Sequence, residues 1–162
     1  MTSYWDWAVA VHGKDGVDAA LTGLQDSHGQ CVAYLLWAAW AAHEGRPLSQ
    51  EILKKGAALA QHWEGAATRP LRAARRNLKT PAPLVNAEAR EALREQVRKA
   101  EFAAERLLME TLEGLAPKPD SGAADMAAAL VAAATAWSRA VPEEPLRELA
   151  VRISSSASGG GK

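Results

Sequence analysis

Two apolar runs constrain this chain more than any other feature. Residues 31–42 hold twelve consecutive apolar residues, and residues 126–137 hold another twelve interrupted only by Thr135. A membrane-spanning helix needs roughly 20 such residues, so both runs are too short to cross a bilayer. A helix without a polar side has to be covered by protein, so each run is expected to be buried over most of its circumference. No stretch alternates with period two over a strand length, alanine is abundant and β-branched residues are scarce. Helix is therefore expected throughout.

Start and stop signals divide the chain. Ser3 caps a first helix with Asp6 in its first turn, and Gly13 ends it. A second helix begins near Asp15 and closes at His28-Gly29. The third, residues 30–44, is the expected central helix, with Leu36 and Trp40 deep inside. Ser49 then caps a long helix whose stripe runs Leu53, Ala57, Ala60, Ala67, Leu71, Ala74, Leu78, interrupted at Glu64. Pro70 lies within that stripe, so a break or kink is expected between Ala66 and Arg69. Asn86 caps the next helix, which runs to about Glu113 with Leu93, Val97, Ala100, Ala104, Leu107, Leu108 and Leu112 turned inward. Asp120 or Ser121 caps an alanine-rich helix to about Ala140, and a last helix covers residues 144–153. The expected architecture is an all-α, single-domain helical bundle of six or seven helices over residues 1–153, with a flexible Ser/Gly tail over 154–162.

The remaining composition narrows the function classes. With 162 residues the chain suits one domain. Its 19 basic and 19 acidic residues cancel, which argues against a wholesale nucleic-acid coat. One cysteine excludes a disulfide framework and a cysteine-based zinc cluster. Residues 1–6 lack the basic and apolar regions of a secretory signal, and a lone thiol fits a reducing compartment, so a cytoplasmic location is expected.

Several segments resemble a family of small proteobacterial proteins that share a domain of unknown function. They are Trp5-Asp6-Trp7-Ala8, Gly16-Val17, Leu24-Gln25-Asp26 with His28-Gly29, Leu35-Leu36-Trp37 with Trp40, and Arg69-Pro70-Leu71-Arg72 with Arg75-Arg76 and Leu78-Lys79. The resemblance covers residues 4 to about 80. It implies a cytoplasmic helical protein and carries over no activity, substrate or catalytic residue.

Arg69, Arg72, Arg75, Arg76 and Lys79 place five cations in eleven residues without an acid among them. At about 100° per residue most of them share one sector, opposite Leu71, Ala74 and Leu78. Such a stripe suits an acidic protein or a ribonucleoprotein partner. Internal pairing is the competing reading, because residues 1–45 carry five acids and one base while residues 46–80 carry eight bases and two acids. Asp6, Asp15, Asp18 and Asp26 are then the counter-charges.

A second group, Gln25, Asp26, His28 and Cys31, could line a pocket between the first helices. Cys31 at a helix N-terminus, three residues from His28, is a reactive thiol if the helix dipole lowers its pKa, and a small buried hydrophobe if it does not. The four histidines show no i, i+3 or i, i+4 ligand spacing, so no metal and no cofactor is expected. Trp5 and Trp7 point to different sides of the first helix, and one is expected to stay exposed as a contact residue. The leading expectation is a non-enzymatic adaptor that docks its partner on the Arg69 to Lys79 face, with self-association as a further possibility. The alternative is an enzyme or small-molecule sensor using the amino-terminal pocket.

Overall fold

The most apolar helix, α3 (Val32–His43), is buried at every position from Tyr34 to Ala42, and the other helices form its cover. The computed structural model describes residues 1–120 and 122–155, and every regular element among them is helical. Along the chain these are α1 (Tyr4–His12), α2 (Val17–His28), α3, α4 (Gln50–Trp63), a π turn (Glu64–Thr68), α5 (Arg69–Asn77), α6 (Ala87–Leu115), α7 (Met126–Trp137) and α8 (Glu143–Ser154). The dihedral angles stay helical from α4 through the π turn into α5. Counted as one rod, these three leave seven helices among the described residues. No described helix is long and apolar enough to cross a membrane. The Ser/Gly tail from residue 156 onward, and Ser121, lie outside the described residues.

Local chemistry places most helix ends where the sequence marks them. Ser3 Oγ accepts from Asp6 N, Ser49 Oγ from Ile52 N, and Asn86 Oδ1 from Ala89 N. Gly29 takes a left-handed φ of 63° after α2, and Gln30 N then donates to Leu24 O at 3.1 Å. The start of α7 differs from expectation, since its cap is Asp125, which accepts from Ala127 N and Ala128 N. The upstream segment is used otherwise. Asp120 N donates to Gly45 O and Ala124 N to Ala42 O, so this loop satisfies carbonyls at the carboxyl end of α3 instead of starting a helix. At its other end α7 stops at Trp137 because Ser138 is extended.

Cover for α3 comes from α1, α2, α4, α6 and α7, with α8 packed behind α2 and α7. Leu36 and Trp40 are 1% and 0% exposed, as their helix requires. Two of its three largest aromatic side chains find polar partners at its edges: Tyr34 Oη donates to Leu53 O at 2.9 Å and Trp40 Nε1 to Thr2 O at 3.1 Å, while Trp37 Nε1 has none among the described residues. Trp137 stacks on Tyr34 with ring centroids 5.6 Å apart and donates Nε1 to Gly29 O.

Three inward assignments on α6 do not hold. Leu93 and Leu107 are about half exposed, at 48% and 51%, and Ala100 is exposed as well. Nearly all of residues 81–100 is exposed, so α5 and the start of α6 form a helical arm that has few neighbours to bury those side chains. From Glu101 onward α6 joins the body, burying Ala104, Leu108, Met109 and Leu112.

Close packing of α4 on α3 rests on Gly56. A Cβ there would lie 2.7 Å from Trp37 Cζ3 and 3.2 Å from Tyr34 Cε2, both rings held in the core. Gly56→Ala gains about 1 kcal/mol of intrinsic helix propensity. Displacing two locked aromatic rings costs about 1–3 kcal/mol. Urea unfolding should therefore show Gly56→Ala to be less stable than the native chain, the reverse of what an exposed helix position would give.

Candidate functional site

Five helical segments each turn one face toward a common cleft beside the amino end of α3. Trp5, Ala8, Val9 and His12 on α1 follow the i, i+3, i+4, i+7 spacing, as do Asp18, Leu21, Thr22 and Gln25 on α2. Glu64, Thr68 and Arg72 lie four residues apart along the π turn and α5, and Phe102, Glu105, Leu108 and Met109 come from α6. Cys31, Val32, Ala33 and Leu36 close the inner wall. The cleft encloses about 560 Å³, within the range of small-molecule sites. At its mouth Trp5 meets Phe102 edge-on with centroids 5.2 Å apart, and Arg106 lies 5.0 Å from the Trp5 ring centre. Trp5 is thus the half-exposed tryptophan of α1, while Trp7 is buried.

Pro70 shapes the polar side of this cleft. It lacks the N–H that an α-helix would use, and the strain is taken up one turn earlier by the π turn, where Arg69 N donates to Glu64 O. The expected kink is this i to i+5 turn. It also rotates the inward position by one residue: Thr68 is 2% exposed, whereas Ala67, on the expected stripe, is half-buried. Thr68 Oγ1 is buried and has no hydrogen-bond partner among the described residues. Glu64 is nearly buried, 14% exposed at its side chain, and its carboxylate lies 3.6 Å from Arg69 Nη2.

Of the four pocket residues singled out in the sequence, Gln25 and Cys31 line the cleft. Asp26 is exposed on the next position around α2, and His28 borders a separate, shallower hollow of about 380 Å³ between α2 and α8. Cys31 is 2% exposed. Burial, reinforced by the Glu64 carboxylate, pushes its thiol well above the ordinary cysteine value despite its place at a helix N-terminus. A buried neutral thiol is the consequence. Among the described residues no group of three or more His, Cys, Asp or Glu side chains is placed to hold a metal ion.

The basic stripe divides. Arg69, Arg76 and Lys79 are exposed. Arg72 donates to Glu101 Oε1 and Glu105 Oε1, both at 3.3 Å, and Arg75 Nε to Glu101 Oε2 at 2.5 Å. The internal counter-charges are therefore glutamates of α6 and not Asp6, Asp15, Asp18 or Asp26. Hairpin geometry explains this, because α6 packs along α5 while the aspartates belong to the first two helices and their connection. Asp18 faces His12 Nδ1 at 3.4 Å instead.

Sequence reasoning missed Glu64, Thr68, Phe102 and Glu105 as site residues. The one available signal was Glu64, a polar interruption in an apolar stripe six residues before a proline.

Glu101 is 9% exposed at its side chain. Burial alone would raise its carboxyl, but the hydrogen bonds and charges of Arg75 and then Arg72 outweigh that and hold it below the ordinary 4.5. A depressed carboxyl contributes stability above the unfolded-state value and loses it as pH falls through the folded one. Glu105 acts in the opposite sense, since burial raises it despite Arg72. Glu101→Gln should cost roughly 2–3 kcal/mol at neutral pH, less than a fully dry pair because both arginines remain partly hydrated. The same substitution should flatten the acid limb of the stability curve below about pH 4.5. Melting curves from pH 7 to pH 3, about the carboxylate range, check both, and an unchanged acid limb would contradict the assignment.

The family model described as a protein of unknown function, DUF2390, matches residues 3–112. That span contains every residue that lines the cleft, from Trp5 to Met109. No curated protein and no solved structure matches the chain significantly. With more than half its length matched, the chain belongs to the DUF2390 family of proteins of unknown function.

Proposed function

We propose that this domain binds a small, largely apolar molecule in the cleft between α1, α2, α3 and the π turn, as a sensor or carrier rather than a catalyst. The observation that carries this reading is the cleft itself: about 560 Å³, its accessible apolar surface supplied by Trp5, Val9, Val32, Ala33 and Phe102 and its polar groups gathered along one side. Thr68 Oγ1, buried in the wall of the cleft, has no hydrogen-bond partner among the described residues. Catalysis by Cys31 would need a thiolate, the form that burial and Glu64 disfavour. A cytoplasmic location is part of the same proposal.

The neutral solvatochromic dye phenylnaphthylamine tests this reading. It should bind with a stoichiometry of one per chain and a blue-shifted, saturable emission. Val9→Trp, a substitution at a half-exposed position on the cleft wall, should weaken binding by fillling the cleft without lowering the melting temperature. Absence of saturable binding would sink the proposal.

A second reading, docking of an acidic protein or ribonucleoprotein partner on the arm, is favoured by one observation. Among the described residues Arg76 and Lys79 stay exposed without an ion pair, and the fully exposed Leu84 follows them at the tip. Arg76→Glu with Lys79→Glu should abolish salt-sensitive partner capture at an unchanged melting temperature. Capture that survives this double reversal removes the adaptor reading.

A further inference from the structure

We infer that the cleft is built for a primary ammonium group on an apolar body, with Glu64 as its counter-charge and Thr68 Oγ1 as a hydrogen-bond acceptor. The inference rests on the cleft being a ligand site and adds the chemical class of the ligand.

Charge around the cleft is one-sided once existing commitments are considered. Its carboxylates are Asp18, Glu64 and Glu105, and its guanidinium is Arg72. Arg72 is bound by both Glu101 and Glu105, and Arg106 at the mouth is paired with Glu110, so among the described residues an incoming carboxylate or phosphate finds no uncommitted cation in the cleft. His12, at the rim, already faces Asp18. Glu64 is differently placed. Among the described residues its ion pair is with Arg69, a 3.6 Å contact to a side chain that is 70% exposed. The other group beside it, the Cys31 thiol, is a weak donor. Glu64 is therefore a nearly buried carboxylate with acceptor capacity to spare.

Thr68 supplies the independent observation. Its hydroxyl is buried in the wall beside the cleft and, among the described residues, unpartnered, four residues from Glu64 across the same π turn. A primary ammonium carries three donors and no acceptor, which complements one carboxylate and one hydroxyl oxygen. Glu105 points the same way, because burial raises its carboxyl more than Arg72 lowers it, and a nearby cation would relieve that cost. The body of the ligand then lies along Leu36, Leu108 and Met109 toward the Trp5–Phe102 pair at the mouth.

Octylammonium, octanol and octanoate share one tail and differ in the head, so calorimetry on the full chain at neutral pH separates the claims. Octylammonium should bind at least about tenfold tighter than octanol, the size of a charge-assisted hydrogen bond, and octanoate most weakly. Glu64→Gln should remove the preference for octylammonium over octanol, and a preference that survives the substitution would count against Glu64. Arg69→Ala removes an exposed competitor for Glu64 and should tighten octylammonium roughly twofold. Octanol or octanoate binding as tightly as octylammonium would overturn the head-group assignment and leave the cleft standing as a site. Failure of all three to bind would overturn both. If Glu64→Gln fails to fold, the panel on the native chain and on Arg69→Ala still decides, and an Arg69→Ala chain that binds octylammonium less tightly counts against Glu64.

Discussion

From Tyr34 to Ala42 no residue of α3 reaches solvent, so every neighbouring helix has to offer it an apolar face. That demand explains the alanine-rich α7, whose small side chains let its backbone come close, and it explains Gly56, the gap in α4 into which Trp37 and Tyr34 fit. It also explains the loop before α7, whose Asp120 and Ala124 amides close the carboxyl end of α3. The amino end is covered less completely. Val32 and Ala33 are only half-buried, and the cleft lies against them. The cavity is the place where the cover of α3 is incomplete.

What makes this cavity chemically specific is a backbone feature. A regular helix through residues 64–69 would turn Ala67 inward and present an apolar wall. The π turn ahead of Pro70 turns Thr68 inward instead, with Glu64 and Arg72 on the same face. Glu101 and Glu105 then neutralise Arg72 from the opposite helix. The missing N–H of one proline thus exchanges an alanine for an unpaired hydroxyl beside the Glu64 carboxylate, while the glutamates of α6 withdraw Arg72 from the surface. The arm beyond, held by Glu101 between Arg72 and Arg75, extends away from the body with Arg76 and Lys79 exposed.

The helical class, the buried character of α3 and most caps were legible in the sequence because each depends on neighbours a few residues away. Ser3, Ser49 and Asn86 cap through their own side chains, and the apolar run of α3 leaves no polar face to expose. The cap of α7 was not legible, since Asp120 and Ala124 are diverted by carbonyls some 80 residues earlier in the chain. Leu93 and Leu107 misled because an apolar stripe on α6 reads as inward whether or not a neighbour exists. The candidate site was half legible. Gln25 and Cys31 were in view, but their partners Glu64, Thr68 and Glu105 come from distant helices, and the π turn that aims two of them has no strong sequence signature beyond Pro70. The arginine stripe misled for a related reason: helix periodicity sorts residues by angle, and only the partner helix decides which angle is outside.

Amide hydrogen exchange on the native chain tests most directly whether α3 is the frame on which the other helices depend. The account predicts that amides of residues 35–42 exchange only through global unfolding, with a free energy equal to that from denaturant melts, while residues 87–98 of the arm exchange through a much cheaper local opening. Exchange from α3 at free energies no higher than those of the arm would contradict it.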